Sequence, residues 1–124
     1  MGAPFPTDPT GDPLASFGSI TFSGQSGEKY LCHAWPLDTR FKPLGAVYLV
    51  TKRMANETYA RKAGHQTIFV GRTDSLANPL ASETDFDRFR KYGANCVCVH
   101  VDADAERRLA IERDLIAGHQ PFCN

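Results

Sequence analysis

The chain lacks net charge and long apolar runs, and both absences restrict its function. Its 124 residues include 14 basic and 14 acidic side chains, so no overall positive field draws it to nucleic acid. Any DNA binding must then depend on local patches, and we expect it to be weak and sensitive to salt. Residues 1–6 do not resemble a secretion signal and no run approaches membrane-spanning length, which predicts a cytoplasmic protein without membrane contacts.

Cysteine is also scarce. Four cysteines are too few and too unevenly spaced for the disulfide framework of a secreted domain, because a chain of this length can build its own apolar core. Reduced thiols are therefore expected.

Composition divides the chain into a tail and one domain. The first 14 positions contain four prolines, two glycines and two aspartates, with little apolar periodicity to offset the entropy of ordering. Residues 1–15 are therefore predicted to be a flexible tail. Residues 16–124 are enough for a single compact domain.

Local patterns predict strands first and helices later in that domain. A hairpin is expected over 19–22 and 28–35, a central strand over 45–50 that is apolar on both faces, and two more strands over 66–71 and 96–101. The polar segment 51–64 predicts a long loop. Helices are expected over 84–92 and 105–117, the second with Asp104 as its N-cap and Gly118 as its stop.

The second predicted helix carries one unusual side chain. Ile111, Leu115 and Ile116 share an apolar arc at 100° per residue, and Glu112 lies in the middle of that arc. Burying an unpaired carboxylate is expensive, so Glu112 must be paired, protonated or bound to a cation. A salt bridge to Arg108, one turn earlier, is the purely structural alternative.

Three blocks then follow one another in a recognisable order. They are Ala46-Val47-Tyr48, Phe69-Val70-Gly71 and the segment 112–124, which begins Glu-x-x-Leu-Ile and ends Pro-x-x-Asn. Together they resemble the GIY-YIG nuclease superfamily over residues 45–124, and the preceding hairpin is similar to that of small bacterial members. The resemblance implies an α+β fold with a small three-stranded antiparallel sheet flanked by helices, to which the N-terminal hairpin is added.

The resemblance also implies an activity, the metal-dependent hydrolysis of DNA phosphodiesters. Tyr48 matches the tyrosine that lies near the attacked phosphate and activates or positions the water. Glu112 matches the ligand of a single divalent cation, Mg²⁺ or Mn²⁺. Asn124 matches the asparagine that closes the motif and helps to fix the polar network of the site.

Two positions depart from the family pattern. Phe69 stands where the second tripeptide has a tyrosine, and Pro79 stands where the family has an arginine, so a hydroxyl and a phosphate clamp are lost. Arg72 is our first candidate for a replacement arginine. Other candidates are Arg88 or Arg90 in the next helix and Arg108, although any single one of these arginines is more simply explained as surface charge.

Basic residues near the predicted long loop form the candidate DNA contact. The alternative is an ordinary solvated loop. The residues of this candidate phosphate track are Lys52, Arg53, Arg61, Lys62 and Arg72.

A second constellation lies on the predicted strand 96–101. Cys96, Cys98 and His100 alternate with valines and so share one face. Cysteine and histidine are zinc ligands, but this spacing is not that of common structural zinc sites, and we favour small side chains packed beneath a helix.

Two functions of different classes follow from these observations. The first is a GIY-YIG-type endonuclease, weak or specialised because its motif is degenerate. The second is a catalytically inactive module of the same fold that binds nucleic acid or a protein partner.

Overall fold

The computed structural model describes residues 16–55 and 63–124. The predicted tail, residues 1–15, lies outside this range. Within it, the chain forms five strands and two helices: β1 (Gly18–Ser23), β2 (Lys29–Pro36), β3 (Ala46–Ala55), β4 (Ala63–Thr73), α1 (Glu83–Lys91), β5 (Cys96–Val101) and α2 (Ala105–His119). Neither helix has the length and apolar character required to cross a membrane.

The described strands form one antiparallel sheet in the order β1-β2-β5-β3-β4. The α+β class is confirmed, but the prediction of a three-stranded sheet is wrong, because the N-terminal hairpin pairs through β2 with β5 and extends the sheet to five strands. The reason lies in β5, whose first four residues are fully buried. Left at an edge, such an apolar strand would expose unpaired backbone groups.

β3 is an interior strand, as predicted, and lies between β5 and β4, and its residues Ala46–Val50 are all buried. The loop predicted over 51–64 was drawn too long at both ends, because β3 continues to Ala55 and β4 already begins at Ala63. A register shift at Val50/Thr51 lets the two strands continue pairing through this polar sequence. Such an irregularity allows a strand to leave the core without losing its hydrogen bonds.

The two helices pack on opposite faces of the sheet. Ile111 and Leu115 of α2 join a core cluster with Val47 and Leu49, whereas Phe89 of α1 packs in a second cluster on the other side. This follows from the alternation of side chains along each strand. Because both faces are covered there, β3 is apolar over residues Ala46–Val50.

Helix α2 begins as predicted and ends differently. The Asp104 side chain accepts hydrogen bonds from the backbone of the first turn, which confirms the N-cap. Gly118 is not the stop, because the helix continues to His119 and Gln120 adopts the left-handed conformation at φ 47°. A Cβ on Gly118 would lie 2.7 Å from the backbone nitrogen of Gln25. The glycine therefore allows the hairpin turn to pack against the helix.

Asp114 of α2 holds the β1–β2 turn. Its carboxylate accepts hydrogen bonds from the Ser26 hydroxyl and the Tyr30 hydroxyl, both at 2.6 Å, and from the Ser26 backbone at 2.9 Å. The Ser26 hydroxyl, followed by that of Tyr30, holds the pKa of Asp114 below its ordinary value. The charged form of Asp114 therefore stabilises the folded chain.

This arrangement predicts a pH-dependent loss of stability in Asp114→Asn. A carboxyl whose pKa is depressed by folding stabilises the protein above its unfolded pKa, about 3.9, and loses that contribution as pH falls through the folded pKa. We expect Asp114→Asn to unfold several degrees below the wild type at pH 7. The difference should shrink below about pH 4. Thermal melts from pH 7 to pH 2.5 measure this difference in Tm. Asp87→Asn, which changes an exposed carboxylate of α1, is the control. A difference in Tm that does not change with pH would contradict the role assigned to the charged form of Asp114.

Candidate active site

Tyr48 lies on β3 opposite Gly71 of β4. The residue is 4% exposed, and its hydroxyl donates a hydrogen bond of 2.6 Å to the Leu80 carbonyl. Burial, then the negative charges of Glu112 and Asp85, raise the pKa of Tyr48 to about 12. The phenol is therefore protonated at neutral pH, which makes it a hydrogen-bond donor that positions other groups rather than a base.

Gly71 leaves the space that the Tyr48 ring occupies. A Cβ at this position would lie 2.5 Å from the Tyr48 hydroxyl oxygen and 2.8 Å from Cε2 of Phe69. The glycine of the second tripeptide is thus explained by the close approach of two aromatic rings to the β4 backbone.

Gly71→Ala should therefore destabilise the protein by about 1–3 kcal/mol, the usual cost of overpacking a core position. Urea unfolding measures this loss. Gly64→Ala, also on β4, is the matched control, because its Cβ would meet only Met54 Cε at 3.7 Å. Equal effects of the two substitutions would show that the crowding at Gly71 is not the cause.

Glu112 and Arg72 form an ion pair across 40 residues of sequence, with 2.7 Å between Arg72 Nη1 and Glu112 Oε1. The Arg72 side chain is 46% exposed and that of Glu112 only 15%. The mostly buried carboxylate predicted from helix geometry is thus compensated by a cation from β4. The charge of Glu112 also raises the pKa of Tyr48, whose ring packs in the cluster on the α1 face of the sheet.

Arg108 pairs with other groups, so the structural alternative of a salt bridge between Arg108 and Glu112 is wrong. The Arg108 guanidinium donates hydrogen bonds of 2.9 Å to the Asp102 carbonyl and 2.5 Å to the Asp74 carboxylate. Arg108 is 6% exposed, and a buried guanidinium has to be paired and hydrogen-bonded to offset its lost hydration. Its role is to join the start of α2 to the segment after β4.

Asn124 binds the β4 backbone at the edge of the sheet. Its side-chain oxygen accepts a hydrogen bond from the Val70 nitrogen and its side-chain nitrogen donates one to the Val70 oxygen, both at 2.7 Å. The Cys123 nitrogen donates to the Ile68 carbonyl at 2.8 Å. These bonds satisfy edge-strand groups that would otherwise lack a partner. Asn124 thereby fixes the strand that carries Arg72.

The two departures from the family pattern have different surroundings. Phe69 stacks on Phe89 with ring centroids 5.0 Å apart and lies 6.1 Å from the Tyr48 ring. Pro79 is exposed in the segment before α1, where it lines an open cleft. Phe69 therefore has apolar packing where a tyrosine would have a hydroxyl. Pro79 provides no charge at the position where an arginine was expected.

The other candidate arginines are engaged away from Glu112. Arg88 lies 3.4 Å from both the Asp85 carboxylate and the Cys123 carbonyl. Arg90 pairs with Asp87 at 3.7 Å. Of the four arginines considered from sequence, Arg72 is the one that the structure places against Glu112.

The candidate phosphate track is only partly described. Arg61 and Lys62 lie outside the described residues, and Lys52 and Arg53 are neighbours on β3, so their side chains leave opposite faces of the sheet. Arg53 stacks over the Phe17 ring at 4.3 Å. These two cations therefore do not form a single surface strip with Arg72.

The structure keeps two of the three residues predicted to share a face of β5 and replaces the third. Cys96 and Cys98 share a face of β5, with 3.9 Å between their sulfurs. His100, however, makes a hydrogen bond of 2.7 Å between Nδ1 and the Leu31 carbonyl of β2. Its place is taken by His65 of β4, whose Nδ1 lies 3.9 Å from Cys98 Sγ. No local pattern pointed to His65, because the strand pairing brings it there.

The two buried thiols of this group differ in acidity. The hydrogen bond from Cys98, opposed by burial and assisted by His65 and Thr51, lowers the pKa of Cys96 to about 5. The same hydrogen bond, together with burial, raises the pKa of Cys98.

None of the family models, curated proteins or solved structures compared with this chain matches it. The similarity to GIY-YIG nucleases accordingly depends on the two tripeptides and the segment 112–124.

Proposed function

We propose that this protein is a metal-dependent phosphodiesterase of the GIY-YIG type that hydrolyses DNA, with Tyr48, Arg72 and Glu112 as its catalytic residues. Asn124 is assigned a positioning role, because its amide holds the β4 backbone at Val70.

The pair between Arg72 and Glu112 is the observation that carries this proposal. The family position for arginine is Pro79, so a phosphate clamp has to come from another element. Arg72 supplies a guanidinium 2.7 Å from the Glu112 carboxylate and leaves nearly half of its side chain open to solvent. A guanidinium has five N–H donors, so it can hold a carboxylate and a phosphate oxygen at once.

The surroundings of Glu112 fit a hard divalent cation. Mg²⁺ is commonly bound by one or two carboxylates and keeps several waters. Arg72 contacts Oε1 of Glu112 at 2.7 Å, so Oε2 is the oxygen that a cation would use. A bound Mg²⁺ or Mn²⁺ would supply Lewis acidity and lower the pKa of a water molecule.

The remaining chemistry falls to the side chains. Water adds to phosphorus and loses a proton to solvent, while the bond to the leaving sugar oxygen breaks and that oxygen gains a proton. Arg72 offsets the charge that develops on the phosphate. Tyr48 orients the phosphate through its O–H group, in exchange for the bond to Leu80.

A second candidate is a catalytically inactive module of the same fold that binds nucleic acid or a protein partner. The replacement of the second tyrosine by Phe69, which stacks into the aromatic cluster of α1, favours it. So does the direct ion pair of Glu112, which offers the carboxylate a partner without any metal.

Incubation of the purified protein with supercoiled, branched and single-stranded DNA in the presence of Mg²⁺ or Mn²⁺ distinguishes the two candidates. The endonuclease proposal requires cleavage of at least one substrate and its loss in Glu112→Gln. Glu28→Gln in the hairpin turn is the matched control, because it removes the same charge away from the site.

The other results are equally informative. Cleavage that survives in Glu112→Gln would indicate a contaminating nuclease. Absence of cleavage on all three substrates, combined with salt-sensitive DNA binding, would establish the binding module and reject the enzyme.

A further inference from the structure

We propose that His65, Cys96 and Cys98 form a binding site for a thiolate-preferring divalent cation, with Zn²⁺ as its representative. The site is distinct from the Glu112 centre. Their three ligand atoms lie within 4.8 Å of one another.

The site lies on the α2 face of the sheet, away from Arg72. Thr51 of β3 pairs with Cys96, whereas Arg72 pairs with Val47. Four residues of β3 separate these positions, which corresponds to about 13 Å along the strand. A cation at the cysteine group would therefore have no direct contact with Glu112.

The distances suit a tetrahedral cation. Two thiolates bound at the usual Zn–S length of about 2.3 Å lie roughly 3.8 Å apart, and a thiolate and an imidazole nitrogen lie about 3.6 Å apart. The sulfurs of Cys96 and Cys98 are 3.9 Å apart, and Cys98 Sγ is 3.9 Å from His65 Nδ1. The third pair, Cys96 Sγ and the His65 nitrogen, lies within 4.8 Å, so a shift of up to about 1 Å would complete the coordination.

Charge also favours this occupant. Cys96 and Cys98 are fully buried, and a divalent cation bound by two thiolates forms a group with no net charge. Such a neutral group avoids the cost of burying an isolated ion. The neutral imidazole of His65 supplies the third ligand, and Nδ1 then exchanges its 2.9 Å hydrogen bond with the Thr51 hydroxyl for the cation.

A disulfide between the two cysteines fits less well. Residues two apart on a strand are separated by about 6.6 Å along its axis, close to the upper limit of about 6.8 Å for the Cα atoms of a disulfide. The structure has both thiols free. Cys96 and Cys98 share a face of β5 but are poorly spaced for a disulfide, so they are better suited to bind one ion between their sulfurs.

Three protein ligands leave one position of a tetrahedral shell open. Cys32 of β2 is buried in the same core cluster as Cys96 and Cys98. It donates to the Tyr30 carbonyl at a sulfur-to-oxygen distance of 3.7 Å. Cys32 is not among the three residues whose ligand atoms lie within 4.8 Å of one another, so a water molecule would complete the shell.

Metal titration of the full chain tests the proposal. The protein is stripped with a chelator, kept reduced with a phosphine, and titrated with Zn²⁺ by calorimetry and with Co²⁺ by absorption spectroscopy. We expect one ion per chain, a thiolate-to-cobalt charge-transfer band, and a rise in Tm of roughly 10 °C when free Zn²⁺ exceeds Kd about 100-fold.

Variants assign the ligands. Cys96→Ser and His65→Asn should each weaken Zn²⁺ binding at least about 10-fold and remove or shift the cobalt bands. Cys123→Ser and His100→Asn, which alter a thiol and an imidazole outside the group, should leave both readouts unchanged. His65 is only partly buried, so its substitution reports on binding even if Cys96→Ser fails to fold.

Two results would overturn the proposal. The first is a wild-type protein that shows neither a charge-transfer band nor a Zn²⁺-dependent rise in Tm, in which case the thiols serve only as core packing. The second is binding that is lost in His100→Asn and retained in His65→Asn. Neither result depends on DNA cleavage, so failure here is separable from failure of the proposed nuclease.

Discussion

Arg72→Met is expected to lower the rate of DNA cleavage by about 10²–10³-fold, the usual effect of removing one preorganised charge donor from a reacting centre. Because Pro79 contributes no cation, Arg72 is the arginine that the structure places at Glu112. The loss should fall on kcat, since the charge that Arg72 offsets is largest in the transition state. Single-turnover and steady-state cleavage assays measure it.

Two further variants separate catalysis from structure. Arg72→Lys keeps the charge and loses the planar fork of donors, so we expect it to retain part of the activity. Arg107→Met removes an exposed arginine that pairs with Asp102, and it should cleave at the wild-type rate. If Arg72→Met cleaves normally while its Tm falls, the ion pair with Glu112 is structural and the assigned role is wrong.

Phe89→Ala is expected to destabilise the protein by about 3–5 kcal/mol, the usual range for deleting a buried aromatic ring. Phe89 is fully buried and stacks on Phe69 at 5.0 Å, with Phe86 edge-on at 5.9 Å. Domains of this size have a free energy of unfolding of about 5–15 kcal/mol. The substitution should therefore remove a large share of the stability, as measured by the midpoint of urea unfolding.

Phe122→Ala is the matched control for this prediction. Phe122 is 52% exposed and stacks on Tyr92 at 5.4 Å, so its removal leaves no enclosed cavity. We expect a cost below about 1.5 kcal/mol, the upper value for an aromatic pair beyond its buried area. A comparable loss in both variants would mean that α1 does not hold the aromatic cluster in a packed state.

Strand and helix positions were mostly predictable because they depend on local periodicity. The apolar run that became β3 and the alternation of cysteine with valine in β5 are each confirmed. Predictions at element ends were less accurate. Gly118 was predicted to be a helix stop, but it lies within the helix, where its missing Cβ leaves room for the hairpin turn.

Partners of buried charges were harder to predict. Helical spacing identified Glu112 as a carboxylate in need of compensation but suggested Arg108, which lies one turn away. In the structure Arg108 binds Asp102 and Asp74, and Glu112 is compensated from β4. Spacing along one helix finds side chains on the same face, whereas the register of a distant strand decides which opposite charge reaches them.

The amino-acid sequence by itself determined the types and order of the elements, the apolar faces and the need to compensate or protonate the Glu112 carboxylate. These features depend on residues within a few positions of one another. Tertiary structure alone decided the five-stranded order, the pairing of Arg72 with Glu112 over 40 residues and the approach of His65 to Cys98 over 33. The physical reason is that strand register sets these distances, and register is chosen by the packing of the whole sheet.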